Sequence, residues 1–197
     1  AKDTEEEYEA VTQEFLRAIT FATSKDAVPL ICMKMTAIAD FELLEKYSDS
    51  GSLNSKEDMY AWELVKKRFG KICEAANKAE MSIFVDAEES WIQGAIDELV
   101  LEMMEKYNVS SPTVYNTYQM YLKSSYERLT THHKRMIDKG ILLGAKLVRG
   151  AYMDKESSRA KNLELEDPIY PSKGDTDDAF NEAVIFCFNN RDFLSFC

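Results

Sequence analysis

The chain has 197 residues, of which 45% are hydrophobic and 30% charged, and its formal net charge is −11. This is the composition of an ordinary globular protein, and it excludes collagen-like, fibrous and disordered chains. The negative charge argues against a nucleic-acid partner, because phosphate binding needs a basic face. No run of about 18 apolar residues occurs, so no transmembrane helix is expected.

Four cysteines lie far apart, at Cys32, Cys73, Cys187 and Cys197, without a CxxC motif or a histidine at ligand spacing. A zinc site is therefore not expected, and a reduced compartment suits these thiols best. The first ten residues are acidic and polar, and they lack the order of a secretion signal.

Helical and apolar segments alternate along the chain. Periodicity predicts helices over 4–24, 40–47, a longer stretch through 59–72, 89–107, 122–139 and 177–189. Short apolar or β-rich runs predict strands over 28–35, 81–87, 113–120, 142–151 and 193–197. Residues 48–54 form a predicted loop, and Ser55 with Asp58 resembles a capping pair.

The alternation of strands and helices predicts the fold class. The strands are too apolar for a half-exposed sheet, which indicates parallel βαβ units. The later units repeat about every 30 residues, a pattern that fits a doubly wound sheet or a (β/α)8 barrel. The first unit departs from this repeat by an insertion near residues 40–58.

Polar residues follow the apolar part of four successive strands. If side chains alternate between the two faces of the sheet, each strand places one polar residue near its carboxyl end. These residues are Lys34, Asp86, Asn116 and Lys146. Ionised groups inside a parallel sheet are costly unless they are paired or bind a charged partner. The residues alone leave open a structural ion-pair network, but the agreement of four strands favours a site at the mouth of a barrel.

The predicted mouth is cationic although the chain is acidic. Lys34, Lys146, Arg149 and Lys173 fall at or just after the predicted strand ends. This local charge predicts a small anionic ligand, such as a phosphate-bearing cofactor or a carboxylate. Gly150 would let such a ligand approach the backbone closely.

Several motifs resemble the proline dehydrogenase family of flavin-dependent enzymes. In chain order they are KMTA at 34–37, FVDAEES at 84–90, NTYQMY at 116–121, KLVRGAYM at 146–153 and DPIYPSKGDTD at 167–177. Their order, spacing and placement on strands agree with the family from residue 28 to residue 197.

The resemblance implies a (β/α)8 barrel that holds FAD non-covalently at its carboxyl face. It implies oxidation of L-proline to 1-pyrroline-5-carboxylate, electron transfer to a quinone, peripheral contact with a membrane, and a bacterial cytoplasmic or a mitochondrial location. Residues 1–197 would form an incomplete barrel with about five of the eight strands. Such a fragment lacks the family's arginines that clamp the proline carboxylate, and by itself it is expected to bind proline poorly.

The resemblance also implies a role for individual residues. Asp86 and Lys146 are predicted catalytic groups, and Lys34 is the predicted substrate-binding lysine. The positions predicted to bind the cofactor are Ala87, Asn116, Val148, Arg149, Gly150, Ala151, Tyr152 and Lys173. Asn116 stands where many family members have a glutamine that hydrogen-bonds the isoalloxazine ring.

Two other classes stay open from the residues alone. Lys34 or Lys146, if desolvated, is the kind of group that forms the Schiff base of a barrel aldolase. Alternatively the chain is a non-catalytic structural fragment in which Lys34, Asp86 and Lys146 merely pair.

Overall fold

The computed structural model describes residues 4–24 and 29–197. The helices are α1 Glu5–Thr23, α2 Phe41–Ser50, α3 Lys56–Lys78, α4 Ser90–Tyr107, α5 Ser125–Ile137, α6 Met153–Asn162 and α7 Lys173–Asn189. The strands are β1 Leu30–Met33, β2 Ser82–Val85, β3 Val114–Gln119, β4 Leu143–Val148 and β5 Leu194–Phe196. A 3₁₀ turn, Met35–Ala37, follows β1. Val28, where the first strand was predicted to begin, lies outside the described residues.

The five strands form one parallel sheet in the order β1-β2-β3-β4-β5. A doubly wound sheet reverses its strand order at a switch point, whereas a barrel adds each new strand beside the last. The unbroken order therefore confirms the predicted α/β class and identifies the described strands as part of a (β/α)8 barrel.

The hydrophobic core lies between the outer face of the sheet and the helices. Trp62, Val65, Phe69 and Ile72 form a buried stripe on α3, as predicted. Met59 was predicted to extend this stripe, but its side chain is exposed. With 3.6 residues per turn, Met59 lies about 100° around the helix from the centre of the stripe.

Capping residues set the helix ends, one as predicted and one not. α3 begins as predicted, since Ser55 accepts a hydrogen bond from the backbone N–H of Asp58 at 2.9 Å. α2 continues through Ser50 into the predicted loop and ends at Gly51, whose φ of 68° is left-handed.

No described helix has both the length and the apolar character needed to cross a bilayer.

α5 is tied to α4 by a charged cluster around Arg135. The Arg135 guanidinium lies 2.7 Å from Glu98 Oε2 and 3.0 Å from Glu105 Oε1. Its hydrogen bonds lower the pKa of Glu98. Burial alone would raise the pKa of Glu105, but hydrogen bonds from Lys139 and Arg135 lower it.

This cluster predicts a pH-dependent stability. Carboxyl groups whose folded pKa lies below the unfolded value of 4.5 stabilise the fold above that value, and the contribution is lost as the pH falls through the folded pKa. In Arg135→Gln, the free energy of unfolding should therefore fall less steeply than in the wild type as the pH is lowered. Urea denaturation at several pH values measures this slope. Arg191→Gln, at an exposed position in the turn after α7, is the control. Equal acid slopes for Arg135→Gln and the wild type would contradict the prediction.

Candidate functional site at the carboxyl ends of the strands

The register between strands decides which side chains face the barrel interior. Cys32 pairs with Phe84, and Phe84 with Tyr115, so the three share one face. The rings of Phe84 and Tyr115 are 4.5 Å apart, and the Tyr115 hydroxyl lies 2.9 Å from Ser195 Oγ across the barrel interior. Towards the carboxyl ends, this inner face carries Lys34, Asp86, Thr117, Gln119, Lys146 and Val148.

Lys146 and Asp86 are in direct contact. Lys146 Nζ lies 2.6 Å from Asp86 Oδ1, so the lysine reaches from β4 across β3 to the end of β2. Both side chains remain partly exposed, at 25% and 30%. Two of the residues predicted to share the mouth therefore lie together and stay open to a ligand.

Lys34 extends from the end of β1 to Tyr152, which follows β4. Its Nζ donates to the Tyr152 hydroxyl at 3.2 Å, and this hydrogen bond raises the pKa of Lys34. On the far side, Lys155 Nζ lies 5.4 Å from the centre of the Tyr152 ring and pairs with Glu89. Lys34 is therefore held as an ammonium ion at the rim.

Glu88 fixes the turn that follows Lys34. Its buried carboxylate accepts from the Thr36 backbone N–H at 3.0 Å and from the Thr36 hydroxyl at 2.5 Å. Burial raises the pKa of Glu88 although both hydrogen bonds oppose that shift. A cavity of about 410 Å³ lies beside this turn, lined among others by Lys34, Glu88 and Tyr152.

Asn116 does not face this mouth. It is fully buried on the outer face of β3, where its Nδ2 donates to Asp97 Oδ1 of α4 at 2.8 Å. The prediction that Asn116 shares the pocket with Asp86 and Lys146 is therefore wrong. Every residue of β3 is buried, so no alternation of exposure along the strand marks its inner face.

Gln119 takes the inner position at the end of β3. It belongs to the same NTYQMY motif, and its Cα pairs with that of Val148. Its Nε2 donates to the Glu88 carbonyl at 2.8 Å, and its Oε1 lies 3.4 Å from the Ala151 N–H nitrogen. Sequence reasoning missed this residue, although Tyr115, Thr117 and Gln119 also form an alternating set.

The turn after β4 depends on a glycine. Gly150 has a φ of 144°, and a Cβ atom there would lie 1.4 Å from Cδ1 of Tyr121. The Tyr121 N–H donates to the carbonyl of Arg149 at 2.6 Å. A residue without a side chain therefore lets the Arg149–Ala151 turn pack directly on the Tyr121 ring.

Arg149 and Lys173 converge on one carboxylate. Arg149 Nε lies 2.5 Å from Asp177 Oδ1, and Lys173 pairs with Asp177 Oδ2. These hydrogen bonds lower the pKa of Asp177. Lys173 is the first residue of α7 and does not lie at or just after a strand end, because the Ser172 side chain caps the helix, which begins four residues before its predicted start.

Comparison with known proteins identifies the family. The model of the family described as proline dehydrogenase matches residues 1–197. Proline dehydrogenase 1, mitochondrial, of Drosophila melanogaster is 38% identical over 131 residues, which are 66% of this chain and 19% of that protein. The Homo sapiens protein of the same name is 42% identical over 106 residues, 54% of this chain and 18% of that protein. The carbapenem antibiotics biosynthesis protein CarD of Pectobacterium carotovorum subsp. carotovorum is 29% identical over 180 residues, 91% of this chain and 46% of that protein.

Solved structures agree with the fold. Proline utilization A (PutA) from Bdellovibrio bacteriovorus, inactivated by N-propargylglycine, superposes with a TM-score of 0.83 at 17% identity, covering 98% of this chain and 21% of that chain. The chain spans about a fifth of the length of the Drosophila and human relatives. Since the family model matches the chain from end to end, the chain belongs to the proline dehydrogenase family.

Proposed function

We propose that the chain forms the flavin- and proline-binding mouth of an enzyme that oxidises L-proline to 1-pyrroline-5-carboxylate. The observation that carries this proposal is the position of Lys34, Asp86, Gln119 and Lys146 on one face of the sheet, at the carboxyl ends of four adjacent strands, where Lys146 contacts Asp86. Parallel barrels keep their chemistry at this end. The proposal agrees with the family to which the chain belongs.

The donor set at the mouth fits FAD. The exposed cations Arg149 and Lys173 suit the pyrophosphate, and the ammonium of Lys146 suits the polar edge of the isoalloxazine ring. Gln119 has two amide N–H groups, of which its hydrogen bond to Glu88 uses one. The other positions proposed to line the cofactor are Ala87, Val148, Gly150, Ala151 and Tyr152.

When bound, FAD supplies the acceptor for the hydride that leaves C5 of proline. The residues of the chain bind and orient the reactants. Lys34, held by Tyr152, neutralises the proline carboxylate. Asp86 would accept a hydrogen bond from the proline amine, and the ammonium of Lys146 would supply positive charge beside the bound cofactor.

The Schiff-base alternative finds less support in the geometry. A Schiff-base lysine must present a neutral amine, which usually requires a lowered pKa. Hydrogen bonding raises the pKa of Lys34, and Lys146 is engaged with Asp86. Both lysines are better suited to binding anions than to attacking a carbonyl group.

A quinone is the proposed electron acceptor, and a mitochondrial location is proposed because several relatives are named as mitochondrial proteins. Peripheral contact with a membrane stays a prediction.

The test is proline-dependent reduction of a bound flavin. We expect the full-length protein, purified in the presence of FAD, to show flavin absorbance that L-proline bleaches without oxygen and that a quinone restores. D-proline is the control substrate. A protein that binds no flavin, or whose flavin L-proline does not reduce, would contradict the proposal. Borohydride trapping of a carbonyl substrate on Lys34 or Lys146 would favour the aldolase instead.

A further inference from the structure

We propose that Gln93 is a positioning residue that orients the Gln119 amide through the backbone of Glu88. This inference rests on the proposed function, because it concerns how a group that faces the flavin is held. It is carried by a continuous series of hydrogen bonds that runs from the outside of the barrel to the mouth.

The series contains three hydrogen bonds among four residues. Gln93 lies in the first turn of α4 and is 1% exposed. Its Nε2 donates to Asp97 Oδ1 at 2.8 Å, and its Oε1 accepts from the Glu88 N–H at 3.0 Å. The Glu88 carbonyl in turn accepts from Gln119 Nε2 at 2.8 Å. We name this series the Gln93 relay.

The relay has a fixed direction because one end is a carboxylate. An ionised carboxylate only accepts hydrogen bonds, so Gln93 must turn its NH₂ group to Asp97 and its oxygen to the Glu88 N–H. The Glu88 carbonyl likewise requires the NH₂ group of Gln119, which leaves the Gln119 oxygen facing the Ala151 N–H. If either amide group were flipped, a donor would face a donor or an acceptor would face an acceptor.

Asp97 is itself firmly held. It is buried, and besides Gln93 it accepts from Asn116 Nδ2 at 2.8 Å, while its Oδ2 lies 2.9 Å from Arg128 Nε. The outward position of Asn116 therefore has a role in this arrangement, because it anchors the acid that sets the direction of the relay.

Glu88 connects the relay to the substrate side. Its backbone takes part in the relay, while its carboxylate holds the Thr36 turn next to Lys34. A displacement of Glu88 would therefore reach Gln119 directly and Lys34 through Thr36. We expect loss of Gln93 to act mainly on flavin binding and only secondarily on the KM for proline.

The test is a double-mutant cycle on FAD affinity. Gln93→Met keeps the length of the side chain and removes its hydrogen bonds, and Gln119→Met does the same in the mouth. Loss of one hydrogen bond predicts about three- to tenfold weaker FAD binding for each single variant. Because Gln93 acts through Gln119, the double variant should bind FAD no more weakly than Gln119→Met alone. The flavin reduction potential should shift in the same direction in both single variants.

The control is Ile96→Val, a buried substitution on the same helix that leaves the relay intact and should keep wild-type FAD affinity. Losses that multiply in the double variant would overturn the relay, and so would wild-type affinity in Gln93→Met when Gln119→Met is impaired. A wild-type protein that binds no FAD would instead refute the proposed function.

Gln93→Glu provides a second variant if Gln93→Met does not fold. A protonated glutamate offers the same donor and acceptor as glutamine, whereas its ionised form repels the carboxylate of Asp97, which also faces Arg128 Nε at 2.9 Å and His132 Nε2 at 3.9 Å. Its FAD affinity should therefore approach the wild-type value as the pH is lowered. An FAD affinity of Gln93→Glu that does not recover relative to wild type at low pH would count against the relay.

Discussion

Lys146→Met is expected to lower kcat for proline oxidation by about 100- to 1,000-fold, the usual loss when one electrostatic group is removed from a catalytic site. The substitution removes the ammonium group of Lys146, whose Nζ lies 2.6 Å from Asp86 Oδ1 at the carboxyl ends of the strands. Steady-state reduction of a quinone analogue by the full-length enzyme measures the effect. Because both partners are partly exposed, the free energy of unfolding should change little.

Two further variants show whether the effect comes from the charge at position 146. Lys146→Arg keeps the charge with a different geometry and should retain part of the activity. Lys71→Met removes a surface lysine that pairs with Glu9, and should leave kcat unchanged. Wild-type kcat in Lys146→Met would indicate that Lys146 and Asp86 form only a structural ion pair.

Gly150→Ala is expected to destabilise the fold by about 2–4 kcal/mol, or to displace the turn that it belongs to. The new Cβ would lie 1.4 Å from the Tyr121 ring, at a backbone φ of 144° that other residues rarely adopt. Either outcome moves Arg149 and Ala151, so FAD affinity should fall together with stability. Urea denaturation and FAD titration measure the two effects.

Gly174→Ala is the matched control for this prediction. At Gly174 a Cβ atom would approach no atom more closely than 3.4 Å, and the residue lies in the first turn of α7. Alanine there should be neutral or slightly stabilising. If Gly150→Ala were as stable as Gly174→Ala and bound FAD as tightly as the wild type, the proposed role of the Gly150 turn would be wrong.

The sequence was sufficient to place three of the charged residues of the mouth. Lys34, Asp86 and Lys146 each end a short apolar run, and an ionised group at the end of a buried parallel strand needs a partner. In the structure, Lys146 forms an ion pair with Asp86, and Lys34 donates a hydrogen bond to the Tyr152 hydroxyl. The class of fold followed from the same alternation of apolar strands and helices.

The orientation of β3 could not be read in the same way. Its outer face carries Asn116 and Tyr118 and its inner face Thr117 and Gln119, so both faces contain polar groups. A strand that is buried on both sides shows no exposed face, and a shift of one residue exchanges the two faces. The missing information was the position of Asp97, a buried acid on α4 that requires a donor such as Asn116.

Two features of the helices could not be predicted from the hydropathy pattern. α6 was not predicted because only Glu156 and Ala160 of this helix are buried, so it shows little apolar periodicity. Its two acids, Asp154 and Glu156, lie in the first turn, and two of its three bases, Arg159 and Lys161, lie in the last, an order that suits the helix dipole. The start of α7 depends on the Ser172 cap, which places Lys173 on a helix.

A crystal structure of the full-length protein with FAD bound tests the central claim most directly. It should show the isoalloxazine ring at the carboxyl ends of the strands, beside Lys146 and within hydrogen-bonding distance of the Gln119 amide, while Asn116 keeps its contact with Asp97. A flavin bound elsewhere on the barrel, or a ring that contacts Asn116 instead of Gln119, would contradict the claim.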